Sequence, residues 1–339
     1  MTAPPLESAT VDLLTHARTA IRPVLDEALA LLPQHVQLVV EYHLARRDPA
    51  GNPISAPPGG KAIRPALVLA AARATGGSDR DALRAAAAVE LVHDFTLLHD
   101  DVIDRDPMRR HRPAAWTVFG TAAAIVAGDA LAAAALRLVT DQPAQARRLC
   151  DCVTELCEGQ YADTAFEIRT DVTLTECLAM AEAKTGALLG TSCAIGALAA
   201  GAPDHVADAL DAFGRDIGIG FQLVDDLLGI WGDPDTTGKP AGADLATRKK
   251  SLPVVAALQS NTPAAEELTA LYFTDTPLTP TQLARAAHLV ETTGARDWAQ
   301  HEAARRTSRA LEHLAAAIPD PARTGDLITL AELTTRRNR

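Results

Sequence analysis

Apolar side chains recur at helical spacing along almost the whole chain, and no segment alternates apolar and polar residues as a half-buried strand would. Residues 10–31 carry apolar positions three and four apart. Part of the predicted helix 79–104 is apolar almost all round, which predicts a buried helix; the apolar residues are Val89, Leu91, Val92, Phe95, Leu97 and Leu98. The pattern shows no repeat of fixed period and no linker. The chain is therefore predicted to be all-α.

Capping and breaking residues divide this pattern into elements. Ser78 with Asp81 and Thr173 with Glu176 have capping-box spacing, which marks the start of a helix. Glycine and proline positions set other limits, and helices are predicted over about 62–75, 79–104, 203–230 and 280–294. We predict one all-α domain of ten or more helices over residues 1–339, with flexible ends at 1–9 and 334–339.

Composition and charge narrow the function classes. Hydrophobic residues make up 47% of the chain and aromatic residues 4%, and this alanine-rich balance favours helices. A formal net charge of −11 argues against nucleic-acid binding. We expect no membrane insertion, because no run of eighteen apolar residues is free of charge. The N-terminus lacks a signal-peptide pattern and the cysteine count is odd, so a cytoplasmic location is expected.

The first candidate site is the acidic segment LHDDVIDRDPMRR, residues 98–110. Asp100 and Asp104 are four positions apart and share a helix face, with Asp101 beside them. Carboxylates that follow a buried helix need a cation, and Mg²⁺ prefers one or two carboxylates together with substrate phosphates. A metal site is the sharper interpretation, and a solvated acidic helix end is the alternative.

A second acidic segment, FQLVDDLLG, occupies residues 221–229. Asp225 and Asp226 again follow an apolar helical stretch. Two buried helices that end in paired aspartates could face each other across one cavity and hold magnesium ions between them. The paired occurrence strengthens the metal-site hypothesis for both segments.

Basic residues accompany both acidic segments and could bind phosphates. Any one of them alone is more simply a solvated surface charge. Lys184 differs, because it lies in an apolar stretch where an unpaired ammonium is costly. The set comprises Lys61, Arg64, Arg109, Arg110, Lys184, Lys239, Lys249 and Lys250.

Taken together, these motifs resemble the trans-isoprenyl diphosphate synthase (polyprenyl synthetase) family, over roughly residues 59–253. The matching segments, in chain order, are GGKAIRP (59–65), the first acidic segment with its helix, AGDAL (127–131), EGQYAD (158–163), AKTG (183–186), and the second acidic segment with its loop to Pro253. The resemblance implies an all-helical fold around a deep central cavity, usually in a homodimer. It also implies condensation of isopentenyl diphosphate with an allylic diphosphate.

The resemblance assigns roles to individual residues. Asp100, Asp104 and Asp225 would bind three magnesium ions, supported by Asp101, Asp226 and Gln222. The allylic diphosphate would be bound by Arg109, Lys184, Thr185, Gln222, Lys239 and Lys249. Isopentenyl diphosphate would be bound by Lys61, Arg64, His93 and Arg110.

Two positions depart from the family pattern. Gly229 stands where many members have a third aspartate, which puts one contact near the metal cluster in doubt. His111 stands where the family usually has glycine, and it could alter the loop or add a cation.

Product length is predicted from the residues that precede Asp100. Phe95 lies five positions earlier, about 7.5 Å along a helix axis, and Thr96 follows it. An aromatic plug followed by a small residue resembles synthases of twenty-carbon products. We therefore expect geranylgeranyl diphosphate, with farnesyl diphosphate second; alternatively, Phe95 is a core residue that faces away from the cavity.

Two other functions fit the same fold. A terpene cyclase would use the allylic site alone, but Lys61, Arg64 and His93 argue for a second diphosphate. A non-catalytic partner subunit would be expected to lose acidic motifs, and both are intact.

Overall fold

The computed structural model describes residues 5–54, 60–233, 241–274 and 276–335, and they are mostly helical. The all-α prediction is confirmed. The first ten helices are α1 Pro5–Ala30, α2 Gln34–His43, α3 Ile63–Ala74, α4 Asp79–Ile103, α5 Ala115–Phe119, α6 Thr121–Val139, α7 Pro143–Ile168, α8 Leu174–Ala181, α9 Ala187–Ala199 and α10 Asp204–Trp231.

The remaining helices follow the second acidic segment. They are Ala243–Ala246, Leu252–Leu258, Pro263–Tyr272, Pro280–Thr292, Ala295–Ala317 and Gly325–Thr335. A π-helical turn, Glu182–Gly186, joins α8 to α9, and a 3₁₀ turn covers Pro321–Arg323. The predicted total of ten or more helices is confirmed, and both capping boxes form.

The chain divides into two compact units. The first unit contains Met1–Val153, Thr191–Asp211 and Ala317–Leu330; the second contains Thr154–Gly190, Ala212–Ala316 and Ala331–Arg339. The single domain and the central cavity stay predictions. The ends predicted to be flexible, 1–9 and 334–339, lie mostly outside the residues whose side chains the structure describes.

Small residues let helices of the first unit pack closely. A Cβ on Gly196 of α9 would lie too close to the Val68 carbonyl of α3 for any real contact. A Cβ on Gly128 of α6 would overlap the imidazole ring of His99 on α4. Because neither glycine has a side chain, the helices pack closely, and α3 is buried along most of its length.

The core of the second unit forms around α10. Leu223 and Leu227 pack with Leu252 and Val255 of the helix Leu252–Leu258. Asp216 on the same helix is 2% exposed and accepts a hydrogen bond of 3.1 Å from Arg306, which satisfies a charge that would be costly alone.

The helix predicted over about 203–230 is confirmed, but the expectation that its paired aspartates end the helix is wrong. Helix α4 ends at Ile103, close to its aspartates, but α10 continues past Asp225 and Asp226 to Trp231. The helix continues because Leu227 and Ile230 are buried apolar residues at helical spacing. The second pair of aspartates therefore lies within a helix, more than one turn before its end.

Helix α6 is long and apolar enough to cross a membrane by length and composition alone. It is the one such helix in the part of the chain that the structure describes, and 39% of its apolar window is buried inside the protein. Within the first unit it packs against α4.

Candidate active site

The aspartates of the first segment differ in exposure. Asp100 is half-buried, Asp104 is exposed and Asp101 is 1% exposed. The Asp101 carboxylate accepts a 2.8 Å hydrogen bond from Nε of Arg109 and a second bond from Nη2. Burial disfavours the guanidinium charge, but the bonds to Asp101 outweigh this effect and raise the pKa of Arg109. The buried carboxylate therefore fixes Arg109 beside the more exposed pair.

A two-residue hairpin turn presents the neighbouring arginine. Strands β1 (Met108–Arg109) and β2 (Arg112–Pro113) pair antiparallel, and Arg110 and His111 form the turn with φ of 50° and 61°. Positive φ at both central residues is the pattern of a type I′ turn, in which glycine is favoured. This conformation would suit the glycine that the resembled family usually has at position 111, and His111 adopts it at the cost of some backbone strain.

The hairpin is anchored to α2. The guanidinium of Arg112 stacks 4.4 Å from the Tyr42 ring centroid and donates to the Tyr42 carbonyl at 3.2 Å. The Tyr42 hydroxyl donates to the Pro113 carbonyl at 2.8 Å. A small cavity between these elements is lined by His43, Arg109 and Arg110 among others, so it is locally basic despite the acidic chain.

Two carboxylates on α4, Glu90 and Asp94, lie near basic side chains of the first unit. Asp94 is 2% exposed, and its Oδ1 lies 3.6 Å from Nη2 of Arg110 and 3.5 Å from Nε2 of His43. Burial and the charge of Asp94 raise the pKa of Glu90 to about 7, against the opposing charges of Arg64 and Arg110.

Sequence reasoning missed Glu90, Asp94 and His43 as part of this cluster. Two carboxylates four apart on an otherwise apolar helix were a visible signal for Glu90 and Asp94. Nothing local marks His43, which reaches the cluster from a different helix.

The predicted residues for isopentenyl diphosphate all lie in the first unit. Lys61 is exposed just before α3, and Arg64 is half-buried in the first turn of that helix. Burial, followed by the charges of Arg64 and Arg110, holds the pKa of His93 well below its usual value. His93 is therefore a neutral imidazole near neutral pH, able to donate one hydrogen bond and accept another.

The second acidic segment repeats the division between an exposed and a buried aspartate. Asp225 is exposed, whereas Asp226 is 2% exposed. The Asp226 carboxylate accepts hydrogen bonds from Nε2 of Gln222 at 2.8 Å and from the backbone nitrogen of Leu252 at 2.9 Å. Nζ of Lys249 lies 3.4 Å from the same carboxylate. Asp226, with Asp244, Asp163 and Asp225, raises the pKa of Lys249 although burial opposes the charge.

The EGQYAD and AKTG segments meet around Lys184. A Cβ on Gly159 of α7 would lie 2.6 Å from the Lys184 backbone nitrogen, so only glycine allows this approach. Asp163, one turn later on α7, accepts a 2.5 Å hydrogen bond from Nζ of Lys184. The sequence indicated an ordinary helix here, but Lys184 lies in the π-helical turn. Such turns are common at functional sites.

Thr185 and Gln222 complete the group in the second unit. The Thr185 hydroxyl donates to Oε1 of Gln222 at 3.0 Å, and the other end of that amide binds Asp226. Lys250 differs from its neighbours, because its ammonium donates to the Glu167 carbonyl at 3.0 Å. Lys239 lies outside the described residues.

The residues predicted to set product length lie on α4. Phe95 is 8% exposed, and its ring meets the His99 ring edge-on at a centroid distance of 5.0 Å. His99 in turn packs over Gly128 of α6. Thr96 is half-buried and donates its hydroxyl to the His93 carbonyl at 2.8 Å.

The donor set fits hydrated Mg²⁺. Among the described residues, no three His, Cys, Asp or Glu side chains come close enough to hold a metal by themselves. Oδ2 of Asp101 is buried and accepts no hydrogen bond within the described part of the chain, so it suits a water of a hydrated cation. Mg²⁺ keeps several waters and takes one or two carboxylates with substrate phosphates, so a carboxylate oxygen without a protein hydrogen-bond donor fits such an ion.

Comparison with known proteins decides the family. The polyprenyl synthetase family model matches residues 53–290. The chain belongs to the polyprenyl synthetase family. It is 47% identical over 320 residues to a (2E,6E)-farnesyl diphosphate synthase of Mycobacterium tuberculosis, covering 92% of this chain and 89% of that protein.

Further relatives agree with this placement. A geranylgeranyl diphosphate synthase of M. tuberculosis is 46% identical over 331 residues, covering 96% of this chain and 93% of that protein. The crystal structure of a polyprenyl synthetase from Streptomyces coelicolor A3(2) superposes with a TM-score of 0.91 at 41% identity, covering 95% of this chain and 98% of that one. This member of the family is thus a short-chain trans-prenyltransferase.

The lowered pKa of His93 predicts a pH effect on stability. Below about pH 6.5 the unfolded chain protonates this imidazole and the folded protein does not, so the free energy of unfolding falls as the pH falls. We expect His93→Gln to flatten this dependence between about pH 6.5 and pH 5, by up to ~1.4 kcal/mol per pH unit. Urea unfolding followed by circular dichroism measures it.

The matched control is His205→Gln, at an exposed position, which should keep the slope of the original protein. An unchanged slope in His93→Gln would show that this imidazole is not held neutral by the fold.

Proposed function

We propose that this chain joins isopentenyl diphosphate to an allylic diphosphate, head to tail, and that its product is geranylgeranyl diphosphate. One observation carries the proposal. In each unit a buried aspartate forms an ion pair with a basic side chain: Asp101 with Arg109, and Asp226 with Lys249. The preceding aspartate, Asp100 or Asp225, is more exposed. This arrangement supplies both metal-binding oxygens and cations for phosphates.

The proposed roles follow the family motifs. Asp100, Asp104 and Asp225 would hold magnesium, with three ions expected when diphosphate is bound. The allylic diphosphate would be bound by Arg109, Lys184, Thr185, Gln222, Lys239 and Lys249. Isopentenyl diphosphate would be bound by Lys61, Arg64, His93 and Arg110.

The reaction begins when diphosphate leaves the allylic substrate. Bound Mg²⁺ supplies Lewis-acid neutralisation of that leaving group. Arg109 and Lys249, already fixed by buried carboxylates, bind the charge that develops on it without reorganisation. Arg64 and Arg110 hold isopentenyl diphosphate so that its double bond attacks the allylic carbon. The released diphosphate takes the final proton, so no side-chain base is required.

The alternatives are a terpene cyclase and a non-catalytic subunit. The cluster of Arg64, His93 and Arg110 around half-buried Glu90 and buried Asp94 favours a synthase, because a cyclase needs no second diphosphate site. Product formed from farnesyl diphosphate without isopentenyl diphosphate would support the cyclase. Absence of condensation by the purified chain would support the subunit.

Loss of either exposed aspartate should stop turnover. We expect Asp100→Ala and Asp225→Ala each to lower kcat by at least about a hundredfold, because each removes an oxygen that helps to stabilise the leaving group. Steady-state condensation assays with magnesium measure the effect. Asp12→Ala, at an exposed position of α1, is the control and should keep normal turnover. Near-normal turnover in the first two variants would contradict the metal-ligand assignment.

Product length provides a separate test. We expect mass detection to show a twenty-carbon product with dimethylallyl, geranyl or farnesyl diphosphate as primer. Phe95→Ala should give longer products, because it removes the aromatic plug. Ile168→Ala, which alters an 87% exposed side chain, should leave product length unchanged. A fifteen-carbon product of the original protein supports farnesyl diphosphate, and an unchanged product in Phe95→Ala supports a purely structural Phe95.

We also propose a homodimer that acts in the cytoplasm. Helix α6 is apolar and presents Ile125 at 38% and Val126 at 52% exposure, although its opposite side packs against α4. An exposed apolar face of this kind favours a protein partner, and a second copy would bury the same face on both subunits. No disulfide joins the cysteines that the structure describes, which agrees with a reducing compartment.

A charge on this face should separate the subunits. We expect Val126→Glu to sediment as a monomer in analytical ultracentrifugation, because dimerisation would bury an unpaired carboxylate. Ile168→Glu adds the same charge on α7 and should stay dimeric. A monomeric original protein would contradict the proposal.

A further inference from the structure

Gly229 and Asp244 occupy the same space in the second unit. Gly229 lies on α10 one turn after Asp225, on the same helix face. A Cβ added to Gly229 would overlap the carboxylate of Asp244, all three heavy atoms of which lie against this position. The side chain that α10 lacks at residue 229 is thus replaced by a carboxylate from a segment fifteen positions later.

The Asp244 carboxylate also approaches Lys249. Its Oδ2 lies 3.9 Å from Nζ of Lys249, and Oδ1 of Asp226 lies 3.4 Å from the same nitrogen. Asp244 is 18% exposed at its side chain and Asp226 is 3% exposed, so both carboxylates act where water screens them only partly.

A backbone hydrogen bond holds Asp244 and Lys249 at a fixed separation. Asp244 lies in the short helix Ala243–Ala246, and its carbonyl accepts a 2.9 Å hydrogen bond from the Lys249 backbone nitrogen. The Lys249 carbonyl accepts a 2.6 Å hydrogen bond from the hydroxyl of buried Tyr272. Both the backbone N–H and the carbonyl of Lys249 are therefore held by hydrogen bonds, and the two carboxylates orient its ammonium.

We propose that Asp244 is a positioning residue that directs the Lys249 ammonium toward the allylic diphosphate, and that glycine at position 229 is the condition for it. The inference rests on the proposed phosphate-binding role of Lys249. The glycine at position 229 then does not deprive this site of a carboxylate, because Asp244 places one at the same point. The combined charge of Asp226 and Asp244 keeps Lys249 protonated, in agreement with its raised pKa.

The test moves the carboxylate from one segment to the other. Asp244→Asn removes the charge at constant shape, and Gly229→Ala displaces the carboxylate by adding one methyl group. The double variant Gly229→Asp with Asp244→Ala restores a carboxylate at the same point from α10. Gly325→Ala, where a Cβ meets nothing within 4 Å, is the matched control.

The first readout needs no substrate. Acetic anhydride acetylates only unprotonated amines, so the acetylation rate of Lys249, measured by mass spectrometry against exposed Lys61, reports how firmly its charge is held. We expect the rate to rise several-fold in Asp244→Asn and Gly229→Ala and to fall back in the double variant. Unchanged rates would contradict the inference even if the enzyme is a synthase.

The second readout is steady-state kinetics. We expect both single variants to raise KM for the allylic diphosphate about tenfold with little change in KM for isopentenyl diphosphate, and the double variant to recover most of the loss. An equal change in both KM values, or no recovery in the double variant, would show that Asp244 and Gly229 act only on folding. An original protein without condensation activity would refute the proposed function, and the acetylation result would still decide the contact.

Discussion

The candidate site depends on the rule that a buried carboxylate needs a partner. Asp101 and Asp226 are nearly inaccessible, and leaving either unpaired would cost several kcal/mol. Their partners are Arg109 and Lys249, which are side chains that the family motifs assign to diphosphate. Each buried acid is therefore paired with a cation that we propose also binds diphosphate, and the fold places that cation before any substrate is bound.

Close helix packing positions Lys184 in the second unit. Gly159 lets α7 approach the backbone of Lys184, and Gly218 of α10 lies against Gly186, so side chains at either position would push these segments apart. Asp163 then meets Lys184 from a helix that is held at fixed distance. These glycines act by letting backbones approach each other, and this approach determines the position of the Lys184 ammonium.

Much of this architecture could be predicted from the sequence, because long amphipathic helices and their caps are local signals. The helix 63–74 and both capping boxes match the expectation closely. The helix predicted over 203–230 also matches α10, but the paired aspartates were expected at a helix end and lie more than one turn before it, since buried Ile230 extends the helix. The sequence also could not predict the place of His43, whose partner Asp94 is on another helix, or the π-helical turn at Lys184.

The chain carries a net charge of −11 and yet gathers arginines around one end of α4. Glu90 and Asp94 make this possible, because their charges offset those of Arg64 and Arg110 at the surface of the core. A diphosphate that enters such a cluster meets cations already desolvated and oriented, so less free energy is spent on arranging them. At the proposed site, Glu90 and Asp94 would therefore favour binding by fixing positive charge in place, although each of them alone would repel the substrate.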